Sequence, residues 1–170
     1  MNVFVLDETP ILSAQYHTNT HCIKMILESA QILSTACHIN WVRSNTLYKP
    51  THIKHPCVIK ASKSRENYLW VLELMECLCN EYKFRYNKTH KSSRLIDELK
   101  SYSTYIPSSG NLEFAQAMPE EYKKNNVVEA YRDYYYLCKM TNKNGRPTDS
   151  WNFREKPFWL VDKQKKDHII

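Results

Sequence analysis

"QYHTNTHCIKMILESAQ", Gln15 to Gln31, is the stretch that decides how this chain folds. From Pro10 to about Cys37 there is no glycine and, after Pro10, no further proline. Thr9 can cap and Pro10 suits the first helical position. The spacing therefore predicts one long first helix. At about 100° per residue, with His17 set at zero, His21 falls at about 40°, Lys24 at about 340°, Glu28 at about 20° and Gln31 at about 320°. Leu12, Tyr16, Cys22, Ile23, Met25, Ile26, Leu27, Ile32 and Leu33 fill most of the remaining wheel, with the hydroxyls Thr18 and Ser29 as exceptions. A surface helix normally shows a broad charged face and a narrower apolar stripe. Here the proportions are inverted, which predicts a helix enclosed by protein with one narrow polar seam.

A half-buried group of two histidines, a lysine and a glutamate has to be paired, hydrogen-bonded or functional. Three readings follow. The seam is an internal ion-pair network, or faces solvent through a gap between helices. Alternatively His17 and His21, one turn apart, hold a metal, which needs a third ligand that no spacing supplies. Or the seam lines a catalytic or ligand pocket. Lys24 beside Glu28 favours the pocket, because a cation and a carboxylate one turn apart tune each other and can bind a phosphate or a sugar oxygen.

The bulk composition fits this. With 170 residues, 42% apolar and 12% aromatic, the chain has enough material for one globular domain with a real core. Only Gly110 and Gly145 are glycines, which disfavours phosphate-cradling glycine loops and tight-hairpin β folds. The expected fold class is mainly α, a single compact helical domain over residues 1–170. Net charge is 24 − 18 = +6, compatible with a phosphate-bearing partner. Twelve tyrosines and four tryptophans supply rings of the kind used for base stacking, or simply line a helical core. The six cysteines include no CxxC pair, so no structural zinc site is signalled and no cofactor is called for. No signal peptide and no apolar run of membrane-spanning length is visible. The expectation is a cytoplasmic protein, in the host cytoplasm if the gene is viral, with no membrane partner.

Along the chain, "MNVFVL" (Met1–Leu6) reads as extended or packed coil. Residues 38–56 read as a basic loop carrying Arg43, Lys49, His52, Lys54 and His55, with Pro50 and Pro56 as breakers. A second long helix is predicted from Ser62 or Ser64 through "RENYLWVLELMECLCNEYKFRY", with Leu69, Leu72, Met75, Cys79 and Tyr82 facing inward. "HKSSRLIDELKSY" reads as a shorter amphipathic helix. Pro119, Glu120 and Glu121 predict the start of a helix running to about Met140. The tail from Asn142 reads as irregular, aromatic and basic.

Three segments resemble the pyrimidine-dimer DNA glycosylases of the phage endonuclease V type. "THCIKMILE" (Thr20–Glu28) places His21 seven residues before Glu28, as that family spaces a histidine and its catalytic glutamate. "HIKHPCVIKASKSRENYLWVLELMECLCNEYKF" (His52–Phe84) resembles bacterial members in its His-Pro motif and following helix. "WNFREKPFW" (Trp151–Trp159) resembles an aromatic terminus that contacts DNA. The chain is also similar to uncharacterised phage and bacterial proteins opening "FVLD", Phe4–Asp7 here, a match that implies no activity.

The glycosylase resemblance implies a helical enzyme that kinks double-stranded DNA and flips a nucleotide out. An N-terminal α-amine would attack the sugar C1′ to form an imine, with Glu28 stabilising the positive charge and His21 its neighbour. This chain departs from the phage prototype, whose amine belongs to a threonine exposed by methionine loss. Here Asn2 follows Met1 and is too large for routine methionine removal, so Met1 would carry the amine. α-Amines as a class titrate at about 7.7–8.0 and are usable near neutrality. Lys24 is the other candidate amine.

The expected site therefore comprises Met1, His17, His21, Lys24 and Glu28 as catalytic candidates. Gln31, Lys49, His52, Lys54, His55, Arg65, Trp151 and Arg154 are the candidates for holding DNA. Trp151, Arg154, Lys156 and Trp159 either stack on bases or dock on the core. Lys91–Arg94 extend the basic patch, and "YRDYYY" (Tyr131–Tyr136) reads as a packed aromatic face. The expected function is base excision or base modification in DNA. The alternative is a non-catalytic protein that binds a nucleotide or a phosphorylated signal, as a viral counter-defence protein would.

Overall fold

The computed structural model describes residues 1–141 and 144–167. Among them are seven α-helices: α1 (Pro10–Tyr16), α2 (Asn19–Ile39), α3 (Pro56–Lys63), α4 (Arg65–Tyr86), α5 (Ile96–Ser101), α6 (Val127–Lys139) and α7 (Phe158–Asp167). The only β pairing among them is an isolated bridge between Thr141 and Pro147. The fold is mainly α, as one compact domain. α2 and α4 form its central pair, with α3 against both, α1 against α4, and α7 against α6.

The predicted single first helix is in fact two. His17 leaves α1 with an extended backbone, φ −65° and ψ 134°. Thr18 then caps α2, its hydroxyl accepting from the His21 N–H. Pattern alone favoured continuity; tertiary hydrogen bonds make the break the better state. The Arg85 guanidinium donates to the Gln15 and His17 carbonyls at 2.9 and 2.8 Å. The Trp151 indole donates to the Tyr16 carbonyl at 3.1 Å, and the Thr18 N–H donates to the Tyr135 hydroxyl at 2.9 Å. The backbone groups orphaned by ending one helix and starting another thus have partners.

The second long helix begins where the sequence places it, with Ser64 accepting from the Asn67 N–H, and ends at Asn87 in the left-handed region. Its inward face differs from the predicted stripe: Tyr68, Leu72, Met75, Leu78 and Arg85 are buried, whereas Leu69 is exposed. α3 is a further helix, because Pro56 sits at its first turn and His55 caps it through Cys57 N–H. The helix expected from Pro119 is only a 3₁₀ turn at Glu120–Tyr122. α6 starts afresh at Asn126, whose side chain accepts from the Glu129 N–H.

The tail is not irregular throughout. α7 forms after Pro157 and buries Trp159 and Leu160. The Arg132 guanidinium lies 5.5–5.8 Å from the ring centres of Tyr16, Phe158 and Trp159, a cation–π cluster joining α6, α7 and α1.

Met1–Leu6 is a packed coil within the core: Val3, Phe4, Val5 and Leu6 are all buried. The segment lies in a groove beside α2, and its polar groups are met one by one. Ser13 Oγ donates to the Phe4 carbonyl and accepts from the Leu6 N–H, both at 3.1 Å. Arg132 Nε donates to the Leu6 carbonyl at 2.8 Å, and Asn2 Nδ2 donates to the Ala117 carbonyl at 2.9 Å. On α4, Glu81 pairs with Arg85 at 3.0 Å, the arginine side chain being wholly buried. Removing one partner from such a pair leaves a buried charge uncompensated. Arg85→Leu is expected to cost about 3–5 kcal/mol in urea unfolding. It should also loosen the α1–α2 junction, seen as faster amide exchange at Thr18.

Candidate active site

Glu28 lies on the α2 face covered by the N-terminal segment, with 11% of its side chain exposed. Its Oε2 accepts from the Asn2 N–H at 2.8 Å and stands 3.7 Å from the Met1 ammonium nitrogen. Its Oε1 is 3.4 Å from Lys24 Nζ, one turn earlier on α2. One carboxylate therefore meets a backbone donor, an α-amine and a side-chain ammonium. Burying it without these partners would be costly; with them it is a fixed negative group aimed at the start of the chain.

His55 completes this corner. Its Nδ1 accepts from the Cys57 N–H at 3.2 Å as the α3 cap. Burial, the positive charge of the N-terminus and His52 all push its pKa below the ordinary value, and the Met1 backbone carbonyl opposes them. His55, expected to hold DNA, lies close to the N-terminus. Asn2 is the residue that sequence reasoning missed. Tyr131 Oη donates its one proton to the Ala115 carbonyl at 2.6 Å and stands 3.1 Å from Asn2 Oδ1. α6 and residues 115–117 thereby fix Met1 through its neighbour. An asparagine in an apolar opening was the available signal.

The predicted seam does not form one cavity. His17 is sealed inside: its Nδ1 donates to the Ser13 carbonyl at 2.7 Å and burial pushes its pKa down to about 4. It sits on a helix end, not at zero on a continuous wheel, so its wheel position no longer applies. Phe4 packs on His17 and His21, with ring centres 6.0 and 5.2 Å apart. His21 lies two turns from Glu28 and contacts Tyr135 Oη at 2.7 Å through Nδ1. Burial first, then the charges of His17, Lys24 and Lys139, lower its pKa to about 3. Gln31 is half-buried one turn beyond Glu28.

Lys49, His52 and Lys54 are exposed in the loop that ends at His55, and His52 has a left-handed backbone, φ 50°. The loop is tied to α2 past Gln31, since Thr35 Oγ1 accepts from the Thr51 N–H at 3.1 Å. A basic loop therefore borders the Glu28 corner. Three other candidates for holding DNA have partners within the protein. The Arg65 guanidinium donates to the Ser103, Thr104 and Ile106 carbonyls. Trp151 is buried and hydrogen-bonded to Tyr16, so its ring is docked and not free to stack. Arg154 pairs with Glu81 at 2.6 Å and lies over Phe84. Among the described residues no group of three or more His, Cys, Asp or Glu could hold a metal ion, so the His17–His21 pair gains no third ligand there. No described helix is long and apolar enough to cross a membrane.

No protein-family model matches this chain, and no curated protein or solved structure matches it either. The reading of the site rests on its own geometry.

The two buried histidines make stability pH-dependent in a defined direction. Unfolded, each takes up a proton near the ordinary 6.5; folded, only near 4 and 3. Between about 6.5 and 4 the unfolded chain binds more protons, so stability falls as pH falls through that window, by up to about 1.4 kcal/mol per pH unit for each histidine. His21→Gln should remove one of the two protons from that dependence, measured as a shallower slope of unfolding free energy between about pH 6.5 and 5.

Proposed function

We propose that this protein is a DNA glycosylase/lyase whose nucleophile is the Met1 α-amine and whose acid–base group is Glu28. The observation that carries this reading is the 3.7 Å separation between the Met1 nitrogen and Glu28 Oε2 in a partly covered corner. An amine nucleophile needs a base to accept its proton and an anion to stabilise the cation it becomes. Glu28 stands within reach of both tasks, and Lys24 and Asn2 hold its orientation.

The chemistry balances as follows. The unprotonated amine attacks C1′ of an extruded nucleotide; the N–C1′ bond forms and the base departs with the glycosidic electron pair and a proton. The C1′–O4′ bond then opens, its electron pair going to O4′, which takes a proton from solvent, and the resulting cationic imine has its charge offset by the Glu28 carboxylate. The same carboxylate removes a proton from C2′, and the 3′-phosphate leaves by β-elimination. The exposed lysines 24, 49 and 54 supply phosphate contacts beside the corner.

Borohydride reduction on double-stranded oligonucleotides bearing abasic, dimerised or modified sites tests this. A covalent adduct on the N-terminal peptide is expected, lost when the amine is acetylated. Glu28→Gln should lower turnover by about 10²–10⁴-fold while binding persists. An adduct confined to a lysine, or none on any substrate, would contradict the proposal. The second outcome would favour a non-catalytic binder of a nucleotide or phosphorylated signal.

A further inference from the structure

Beside Lys24 lies an open depression of about 390 Å³. It is lined by Thr20, His21 and Lys24 of α2, Cys138 and Lys139 at the end of α6, and Thr141 and Thr148. These residues bring two ammonium groups, one imidazole and three hydroxyls to one concave surface, and no carboxylate is among them. Such a lining suits an anion and repels a cation.

The imidazole is prepared for the task. Tyr135 Oη accepts from the Thr18 N–H at 2.9 Å and contacts His21 Nδ1 at 2.7 Å, closer than its 3.4 Å to Thr18 Oγ1. With Tyr135 Oη as donor to Nδ1, the ring proton of a neutral His21 sits on Nε2. In that arrangement His21 is a neutral Nε2–H donor, packed at a tilt against Phe4. Lys139 is also held: its Nζ lies 4.8 Å from the Tyr134 ring centre, and its carbonyl accepts from Thr148 Oγ1 at 2.7 Å. Lys24 is shared, since its ammonium, on a side chain 62% exposed, also reaches Glu28 Oε1.

We propose that His21, Lys139 and Lys24 form a phosphoryl-binding site that holds a DNA phosphodiester adjoining the nucleotide at Glu28. The identification of the anion as DNA rests on the function proposed above; the anion site itself rests on the depression and its lining. It places the phosphate-binding path on both flanks of Glu28, with the Lys49–Lys54 loop on one side and α6 on the other. It also gives His21 a binding role, distinct from acid–base work at Glu28.

The test is binding of a double-stranded oligonucleotide carrying a stable abasic analogue, read by fluorescence anisotropy over a series of salt concentrations. Lys139→Gln should weaken binding uniformly across sequences and reduce the salt slope by about one. Lys100→Gln, an exposed change on α5 outside the depression, is the control and sets the background slope. His21→Leu should weaken binding and His21→Gln should restore it, because glutamine keeps an N–H near the Nε2 position. Inorganic phosphate should shift the His21 Nε2 resonance. A Lys139→Gln slope equal to the control's, with no phosphate shift at His21, would overturn the site. If these effects appear but borohydride traps no adduct, the anion site stands and the glycosylase reading falls.

Discussion

Glu28 grips the start of its own chain. A carboxylate on the middle of a largely buried helix needs donors, and the donors it finds are the Asn2 N–H, the Met1 ammonium and Lys24. To reach it, Met1–Leu6 must lie in the groove beside α2, and the rest of the molecule closes that groove. Ser13 and Arg132 meet the backbone of the segment, Tyr131 and Ala117 meet Asn2, and His55 faces Met1. Four separate parts of the chain therefore converge on six residues. The apolar side chains of those residues supply burial, worth about 1.5–3 kcal/mol for each large one, while the polar contacts set the register.

The same arrangement explains why α1 and α2 are separate. A single helix through His17 would carry Gln15–Thr18 past Arg85 and Trp151 without using either. Breaking there gives Arg85, buried and already paired with Glu81, two carbonyl acceptors. The break also turns His17 inward under Phe4 and leaves His21 to face the α6 side. One polar stripe on a wheel thus becomes three environments: a sealed histidine, a donor histidine beside an open basic depression, and a carboxylate under the N-terminus. Lys24 alone touches the second and the third.

Much of the fold was legible in the sequence because α4 and the body of α2 are long, glycine-free and capped by recognisable residues. Ser64 and Asn87 end α4 where pattern reading places them. The break at His17 was not legible, because the groups that stabilise it, Arg85, Tyr135 and Trp151, lie 68 to 135 residues away. Thr18, a helix-capping residue type, was the local hint. Asn126 with Glu129 was a similar hint for α6, overridden by the stronger Pro119 signal. At the site, Glu28 and Lys24 could be paired from spacing alone. Met1, Asn2 and His55 could not, since only tertiary packing brings the first residues of the chain to the middle of α2. Trp151 and Arg154, read as either stacking on bases or docking on the core, are docked, and Arg65 holds the Ser103–Ile106 carbonyls to α4.

If the fold's purpose is to bring an α-amine to a carboxylate, the two must be energetically coupled in the free protein. A double-mutant cycle measures this most directly, combining N-terminal acetylation with Glu28→Gln and reading each form by urea unfolding near pH 7. The account predicts a coupling of about 0.5–3 kcal/mol, so that acetylation destabilises the wild type and does little once Glu28 is gone. Strictly additive effects would contradict it.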